Sequence, residues 1–425
     1  MANKMLDSFV RGVKKSHGDR MIGSAETQAL PDIRITTGSF DLDVGLGGGL
    51  GIGKIVELYG DKSSGKTTTA LRIISVAQGL CRNCYRVASF LEAVPPEEAE
   101  DERWSATGHC DCYSVGRWKP DEVVREDKEP AKKYKERVEA RHLALTENSY
   151  GEFVAAFLDQ EGAFDKKWAT KVGVDIRRLL LVQSETAEEA IDITDGLIRT
   201  NEVDLLVIDS IAQFLPTKEI EASAMDWQQG LQARLVNKAV RKWVGARTAY
   251  RRATGRWQTQ IWINQTRKAI GQAYGDPTVL PSGEGQKFAA DAMVKMWSSE
   301  AKVEDRMLNN EKKETYSIPQ KIRINFKIAK NKTAPPLSEG SYWQAWIDLE
   351  EGKAGAVLDF DLIWKHTLHF VVTKTKDTYK IGDEEYTSQD SIKKKMREDP
   401  GFYRAMRDAC FRARLSDLSV VPDAP

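Results

Sequence analysis

The stretch GDKSSGKT, Gly60–Thr67, decides the fold of this 425-residue chain. It satisfies the pattern G-x-x-x-x-G-K-[ST], follows the apolar run GKIVELYG and leads into the helical pattern TTTALRIISVAQ. Backbone amides of such a loop, with the positive end of the following helix, form a cradle for phosphates. A chance glycine turn is the alternative, but the strand and helix around the motif favour nucleotide binding.

The side chains of this loop have separate tasks in holding a nucleotide. Lys66 can neutralise the β and γ phosphates, and the Thr67 hydroxyl can hold Mg2+. The predicted nucleotide-binding residues of the segment are Gly60, Asp61, Lys62, Ser63, Ser64, Gly65, Lys66, Thr67 and Thr68.

Apolar runs rich in β-branched residues recur along the chain and predict a parallel sheet. After GKIVELYG come FVAAFLD, LLLVQ, DLLVIDS and TQIWINQ, most of them separated by helical patterns such as TAEEAIDITDGLIRT. Runs that are apolar throughout suit strands buried on both faces. The pattern predicts an α/β core of residues 35–80 and 151–346 with a doubly wound, mostly parallel sheet, whose later strands can be antiparallel.

Three further segments lie outside this core. Residues 1–34 are predicted to form an N-terminal arm with a helix and a strand. Residues 81–150 delay the next strand with a charged, cysteine-containing segment, which is interpreted as an insertion. In residues 350–425 a hairpin pattern precedes helical patterns, so a small α+β C-terminal domain is predicted.

Composition excludes few classes of function. The chain is 41% hydrophobic and 30% charged, with 63 basic and 63 acidic residues, so only local clusters can indicate a nucleic-acid partner. No apolar run approaches the roughly 20 residues that span a bilayer, and the start MANKMLDSFVRGVKKSHGDR lacks the apolar stretch of a secretory signal. A cytoplasmic protein without a membrane partner is predicted.

Polar side chains end three of the predicted strands. Asp209 and Ser210 end DLLVIDS, Asp159 and Glu161 follow FVAAFLD, and Gln265 ends TQIWINQ. The carboxyl ends of parallel strands meet at the edge where ligands bind. Asp209 would position Mg2+ or its water, and Glu161 can accept a proton from the water that attacks the γ phosphate. Each alone has a plainer reading as a cap or turn residue, but together they favour catalysis.

Gln265 is a candidate nucleotide sensor. Its amide can donate to a γ phosphate and must find another partner when that phosphate has gone, so the loop after it would respond to the nucleotide. The alternative is that Asn264 and Gln265 satisfy turn backbone.

A basic run precedes that strand. ARLVNKAVRKWVGARTAYRRATGRW has no acidic residue, and Arg234, Lys238 and Arg241 share one face of a helix. Unbalanced positive charge beside a glycine-containing loop is typical of contacts with a nucleic-acid backbone. A solvated basic helix is an equally good alternative.

Four cysteines of the insertion have the spacing of a metal site. In a reducing compartment, C-x2-C followed by C-x-C indicates metal rather than disulfides, and four thiolates can close a tetrahedral zinc site that stabilises a small module. Four reduced, idle cysteines are the alternative. The predicted ligands are Cys81, Cys84, Cys110 and Cys112, with His109 able to replace one sulfur.

In their order and content these motifs resemble the bacterial and bacteriophage RecA family of DNA strand-exchange recombinases. The segments ITTGSFDLDVGLGGGLGIGKIVELYGDKSSGKTTTALRIISVAQ, FLDQEGAFDKKW, VDLLVIDSIAQFLPTKEIEA, INQTRKAIGQAYGDP and FKIAKNKTAPP carry the resemblance, which covers nearly the whole chain apart from the insertion. The resemblance implies a RecA-type P-loop ATPase core, an N-terminal helix that packs on the next subunit and a C-terminal domain that captures duplex DNA.

The resemblance also implies residue roles. Glu161 would be the catalytic glutamate, and Gln265 would couple the γ phosphate to a second DNA loop at about Thr266–Gly285. A first DNA loop would span about Glu219–Gly230, where Trp227 can stack on a base. Residues implied to lie beside the adenine are Asp165 and Trp168. Residues implied to contact or separate DNA are Arg234, Asn237, Arg241, Arg267, Ile270 and Gly271.

Lys330 and Lys332 are implied to reach across a subunit interface to the neighbour's ATP, and Lys287 and Phe288 to belong to the same interface. Lysines two apart on a strand face the same way. A solvated strand edge is the alternative. A head-to-tail interface that does not close generates a helical filament.

The predicted function is therefore an ATP-dependent recombinase that uses ATP, Mg2+ and zinc. It would polymerise on single-stranded DNA, pair it with homologous double-stranded DNA and exchange strands, with a loader or single-strand-binding protein as a further partner. Alternatives are a ring-forming RecA-fold motor or regulatory ATPase, and a catalytically weak scaffold that binds DNA through the zinc module. The long insertion and the ending SDLSVVPDAP, which lacks an acidic tail, favour a bacteriophage variant, which would act in its host's cytoplasm. A bacterial protein acting in the bacterial cytoplasm is the alternative.

Overall fold

A nine-stranded sheet is the centre of the fold. The structure is a computed structural model that describes residues 2–17, 33–80, 153–221, 230–268, 278–280, 285–309, 314–336, 338–346, 357–375 and 378–418. The helices are α1 (Ala2–His17), α2 (Phe40–Gly45), α3 (Lys66–Ala77), α4 (Lys166–Lys171), α5 (Ala187–Arg199), α6 (Thr217–Glu221), α7 (Leu231–Thr254), α8 (Gly285–Ala289), α9 (Phe360–His366), α10 (Gln389–Glu398) and α11 (Pro400–Leu418).

The described strands belong to the central sheet and to three small sheets. They are β1 (Arg34–Ile35), β2 (Leu50–Gly51), β3 (Ile55–Gly60), β4 (Ala155–Asp159), β5 (Leu179–Val182), β6 (Leu205–Asp209), β7 (Thr259–Gln265), β8 (Arg267–Lys268), β9 (Thr278–Val279), β10 (Ala292–Asn309), β11 (Glu314–Asn331), β12 (Glu339–Ala345), β13 (Val357–Leu358), β14 (Thr373–Lys374), β15 (Tyr379–Ile381) and β16 (Glu384–Tyr386).

The central sheet runs β13-β12-β11-β10-β3-β7-β6-β4-β5. The pairings from β10 to β5 are parallel, whereas β11, β12 and β13 join antiparallel. The five apolar runs of the sequence form β3 to β7, which confirms the predicted mostly parallel sheet with antiparallel later strands. Gly60 pairs with Gln265 and Asp159 pairs with Asp209 across neighbouring strands, so the polar strand ends share one edge.

Helices cover both faces of the sheet, as a doubly wound fold requires. On one face Leu71 and Ile74 of α3 join the apolar side chains of β3 and β10. On the other, α5 and α7 pack through residues such as Ile191 and Trp243. Helix α5 begins at a reciprocal cap, in which the Thr186 side chain accepts from the Glu189 amide and the Glu189 carboxylate accepts from backbone N–H groups.

Residues 357–418 hold an apolar cluster of their own, which includes Ile363, Met396, Cys410 and Phe411. The predicted hairpin is β15–β16, and the predicted helices are α10 and α11. Helix α9, which precedes the hairpin, is not predicted by the sequence pattern. Phe40 of α2 completes this cluster, and β13 extends the central sheet past residue 346. The assigned domain boundaries stay predictions.

The two flanks of the predicted insertion meet in the structure. The Phe153 amide donates to the Leu80 carbonyl oxygen at 3.1 Å, and both side chains are buried. The insertion and all its candidate zinc ligands lie outside the described residues. Within the described ranges, no group of three or more His, Cys, Asp or Glu side chains is arranged to hold a metal ion.

Helix α1 presents uncovered apolar side chains. Leu6 and Phe9 are 59% and 63% exposed on a helix of 16 residues. None of the described helices is long and apolar enough to cross a membrane.

Candidate functional site

The phosphate loop connects β3 to α3 at the carboxyl edge of the sheet. Gly60, which ends β3, lies so close to β10 that an added Cβ would stand 1.9 Å from the Met296 carbonyl oxygen. Gly65 has a left-handed conformation, with φ of 81°, at the start of α3. The close approach of β10 therefore requires glycine at position 60. The left-handed conformation at position 65 favours glycine there as well.

Lys66 is buried within the loop. Its Nζ donates to the Gly60 oxygen at 3.1 Å, the Asp61 oxygen at 2.6 Å and Ser64 Oγ at 3.1 Å. Burial lowers the pKa of the Lys66 ammonium, and nearby carboxylates, Asp209 first among them, act in the opposite direction. A phosphate would offer this ammonium a charged acceptor in place of backbone oxygens.

Thr67 and Asp209 come together as predicted. Thr67 Oγ1 donates to Asp209 Oδ2 at 2.6 Å, which joins the end of β6 to the start of α3. Burial raises the pKa of Asp209 to about 6, with the Thr67 hydrogen bond acting against it. A hydroxyl and a carboxylate this close are the oxygen ligands that Mg2+ uses beside a phosphate loop.

Glu161 lies between the ends of three strands. Its Oε1 accepts from Ser210 Oγ at 2.7 Å and from Gln265 Nε2. Asp159 has a different task, since its carboxylate accepts from the amides of Ala163 and Phe164 and holds the turn after β4. The structure thus unites Glu161, Ser210 and Gln265 and leaves Asp159 as a turn residue.

The segment after Gln265 is tied to the phosphate loop. Thr266 Oγ1 donates to Asp61 Oδ1 at 2.5 Å, and the Thr266 amide donates to the Gly60 oxygen at 3.3 Å. These two contacts connect the phosphate loop to the start of the chain that leads into the second predicted DNA loop.

Asp165 and Trp168 lie at the start of α4. Asp165 caps this helix by accepting from the amides of Lys167 and Trp168 at 2.8 and 3.0 Å. Trp168 Nε1 donates to Thr68 Oγ1 at 3.1 Å, so the indole lies against α3 next to the phosphate loop.

Lys330 and Lys332 lie away from the phosphate loop of their own chain. Lys330 Nζ donates to the Lys287 oxygen, and Lys332 Nζ lies 3.2 Å from Asp291 Oδ1. The other carboxylate oxygen of Asp291 accepts from the amide of Ile55, the first residue of β3. The phosphate loop follows the last residue of β3, about 16 Å away at strand rise. Phe288, beside these lysines, is 76% exposed.

Helix α7 divides the basic run into two parts. Arg234, Lys238 and Arg241 are exposed on the amino-terminal half. Arg247 donates to the oxygens of Gly53 and Gln258, so this arginine contacts protein backbone.

The carboxyl end of the basic run also binds protein. Arg256 donates to the Asn201 oxygen at 2.6 Å and lies 3.5 Å from buried Asp204, while Arg251 stacks on Trp257. Arg252 is exposed, whereas Arg247, Arg251 and Arg256 contact protein. No sequence signal marks this role, because long-range backbone acceptors leave no local pattern.

The DNA loops are described only at their ends. The second loop is closed at its base by β8 and β9, where Arg267 pairs with Val279. Asn237 of α7 meets the far end, since its Oδ1 accepts from the Gly285 amide at 3.0 Å. Trp227, Ile270 and Gly271 lie outside the described residues.

Sequence reasoning missed a cationic cluster on the β10–β11–β12 surface. Lys302, Lys321 and Arg323 lie 5.3, 5.1 and 5.3 Å from the ring centroid of Trp343. These residues come from three strands, and the antiparallel pairings of β10 with β11 and of β11 with β12 bring them together.

Comparison with known proteins identifies relatives over most of the chain. The family described as RecA N-terminal domain matches residues 4–105 and 136–346, and the unmatched residues between them lie within the predicted insertion. Protein RecA of Oceanobacillus iheyensis is 32% identical over 360 residues, covering 83% of this chain and 77% of the relative. Protein RecA of Frankia alni is 29% identical over 401 residues, covering 94% and 89%.

Proposed function

The chain belongs to the RecA family, whose function is recombination and DNA repair, and from that premise we propose that it is an ATP-dependent recombinase that forms helical filaments on single-stranded DNA. In these filaments it pairs the bound strand with homologous duplex and exchanges strands. The observation that carries the proposal is the contact of Glu161 with Gln265, because it joins a hydrolytic carboxylate to the strand that leads into the second DNA loop.

The residues of the phosphate loop fit ATP and Mg2+. Buried Lys66 directs its three donors at neutral oxygens of the loop, and a triphosphate would replace these with charged ones. Mg2+, held by Thr67 and Asp209, would neutralise phosphate charge during transfer. Asp209 must be ionised for this task.

Hydrolysis would begin with a proton transfer to Glu161. One oxygen of this carboxylate accepts from Ser210 and Gln265. A γ phosphate is a stronger acceptor for the Gln265 amide, so this amide would turn from Glu161 to the phosphate and leave the carboxylate free to take a proton from water. Loss of the phosphate would return the side-chain amide of Gln265 to Glu161. The strand end that leads into the second DNA loop would then no longer be held by the nucleotide.

DNA would lie along the exposed half of α7 and the two predicted loops. Arg234, Lys238 and Arg241 present three cations on one helix face, which suits contacts to phosphates and not to base edges. Base pairing would supply the recognition of homology. The cationic surface around Trp343 adds a place for a further strand, where a base can stack on the indole.

Filament formation would complete the ATP site. Lys330 and Lys332 lie too far from their own phosphate loop to touch its nucleotide, so these lysines would serve the neighbouring subunit's site. The uncovered Leu6 and Phe9 of α1 supply an apolar surface for the other neighbour. A loader protein, the zinc site, a bacteriophage origin and a cytoplasmic location stay predictions.

Strand exchange tests the proposal directly. A labelled single strand is mixed with homologous or heterologous duplex, ATP and either wild-type protein or Lys66→Ala. We expect exchange with homologous duplex alone, lost in the variant. Hydrolysis without exchange by folded protein that binds single strands would overturn the recombinase proposal.

Negative-stain images with ATP and single-stranded DNA separate the alternatives. Open helical filaments are expected. Closed rings would favour a motor or regulatory ATPase instead.

A further inference from the structure

Glu57 is a buried acid in the middle of the central sheet with no task in the mechanism described so far. It lies on β3 between Trp262 of β7 and Met293 of β10, and its exposure is zero. An unpaired buried carboxylate costs more than a well-packed apolar residue at the same place. Its presence therefore needs a reason other than stability.

Its contacts lead towards the nucleotide sensor. Glu57 Oε1 accepts from Asn264 Nδ2 at 2.8 Å, and Asn264 Oδ1 accepts from the backbone N–H of Gln265 at 2.9 Å. Asn264 is also fully buried. Because Oε1 of Glu57 accepts from Asn264, it fixes the side-chain amide of Asn264 with its nitrogen towards β3 and its oxygen towards the backbone of Gln265.

The second carboxylate oxygen of Glu57, Oε2, is buried and has no hydrogen-bond partner among the described residues. Met293 pairs with both Glu57 and Lys330, so these two side chains lie on one face of the sheet, two strands apart. Burial raises the pKa of Glu57 to about 7, while Asn264, Lys287 and Lys330 act in the opposite direction.

We propose that Glu57 is a positioning residue, which orients Asn264 and thereby holds the backbone of Gln265 where its side chain can move between Glu161 and the γ phosphate. It touches neither substrate nor reacting atoms. The inference rests on the proposed function, since it concerns the response of that same site to DNA.

An exchange of hydrogen-bond polarity tests this pair. Asn264→Asp places a second carboxyl group against Glu57 in place of a donor amide, so at most one shared proton links the two acids and the fixed orientation of the amide is lost. The Glu57→Gln, Asn264→Asp double variant reverses the hydrogen bond. The amide at position 57 donates to the carboxylate at position 264, whose other oxygen still accepts from the backbone N–H of Gln265. Glu57→Gln alone keeps an oxygen acceptor for Asn264.

The measurement is ATP hydrolysis with and without single-stranded DNA, with kcat and KM determined separately. Asn264→Asp should lower the DNA-stimulated kcat about tenfold or more, with KM for ATP changed less than about twofold. Glu57→Gln and the double variant should stay within about threefold of wild type. The control is Met293→Leu, a volume-conserving change between Glu57 and Lys330, which should leave both constants unchanged.

Thermal unfolding of each variant separates positioning from stability. A kcat that follows the melting temperature across the set, or a double variant as impaired as Asn264→Asp, would overturn the inference. A loss in Glu57→Gln equal to that in Asn264→Asp would also overturn it. If wild-type protein shows no DNA-stimulated hydrolysis, the proposed function itself fails, and the inference fails with it.

Discussion

At the scale of single residues, the site is a set of donors and acceptors that already satisfy one another. Lys66 donates to loop oxygens, Thr67 to Asp209, and Gln265 to Glu161. Each contact pairs a group that can bind nucleotide with a protein partner that it can exchange. Binding of ATP would thus replace one set of hydrogen bonds with another, at little cost in unsatisfied groups.

Replacement of Glu161 by Gln should separate hydrolysis from DNA binding. Loss of a general base lowers the rate of hydrolysis about 10²- to 10⁴-fold, while the amide oxygen of the variant still accepts from Ser210. ATP turnover and DNA binding by fluorescence anisotropy are measured together, with exposed Glu185→Gln as control. Hydrolysis within about threefold of wild type would show that another group takes the proton.

Replacement of Asp209 by Asn should stabilise the fold while abolishing Mg2+-dependent ATP binding. Burial raises the pKa of Asp209 from 3.8 to about 6. The free energy of unfolding of wild-type protein therefore falls as the pH rises from about 4 to about 6, because the buried carboxyl group must ionise. The amide of the Asn variant does not titrate, so the variant keeps this stability. The variant should gain about 1–3 kcal/mol at pH 7.

Melting temperatures without nucleotide between pH 5 and 7.5 check this prediction. The advantage of Asp209→Asn should shrink towards pH 5. An advantage that does not change with pH would contradict the assigned cause.

At the scale of elements, the two halves of α7 place their arginines in different surroundings. Its amino-terminal half carries exposed Arg234 and Arg241, whereas Arg247 in its other half donates to backbone oxygens of Gly53 and Gln258, which lie just before β3 and β7. Charge alone does not distinguish the two halves, because both are basic in the sequence.

Substitutions in the two parts of the basic run, Arg241 on α7 and Arg256 just after it, should have different effects. Arg241→Ala should weaken binding to single-stranded DNA of any sequence and lower the salt slope by about 1, with the melting temperature unchanged. Arg256→Ala should cost about 2–4 kcal/mol of stability, because it leaves buried Asp204 without its cation, with the same salt slope. Salt titrations and denaturant unfolding of both variants test the division; equal salt slopes in the two variants would contradict it.

The same scale shows what the sequence could predict. Strands β3 to β7 and the meeting of Thr67 with Asp209 followed from local patterns, since periodicity and strand ends are local properties. Helix α9, the role of Arg247 and the cluster around Trp343 depend on contacts between distant segments, and no short pattern encodes these. The family resemblance, which the comparisons confirmed, supplied roles for Lys330 and Lys332 that spacing alone left open.

At the scale of the whole molecule, the phosphate loop and the lysines proposed to complete the ATP site lie at opposite ends of the strands of the central sheet. The phosphate loop follows Gly60, the last residue of β3, whereas Lys332 donates to Asp291, which also accepts from the amide of Ile55, the first residue of β3. If these lysines serve the neighbouring subunit's nucleotide, as proposed, a subunit would have a complete site only in contact with another copy.

Two inactive variants should therefore complement each other. Lys66→Ala retains the interface lysines, and a Lys330→Ala, Lys332→Ala variant retains the phosphate loop. Mixed in equal amounts, they should recover up to about a quarter of wild-type DNA-stimulated hydrolysis, because random assembly pairs an intact loop with intact lysines at about one interface in four.

Each variant alone is the control for this mixture. Activity equal to the mean of the separate variants would place Lys330 and Lys332 at the site of their own chain or outside any site.

The hydrogen bond between Phe153 and Leu80 has an entropic consequence. It brings together two points separated by the 72 residues from 81 to 152, so folding of the core must close a long loop. Closure entropy grows only with the logarithm of length, and a linker of a few residues would lower its cost by only about 2 kcal/mol. The core can thus carry a segment of this size with little loss of stability, and the position between Leu80 and Phe153 is one at which a whole module can be gained, exchanged or lost while the sheet keeps its order.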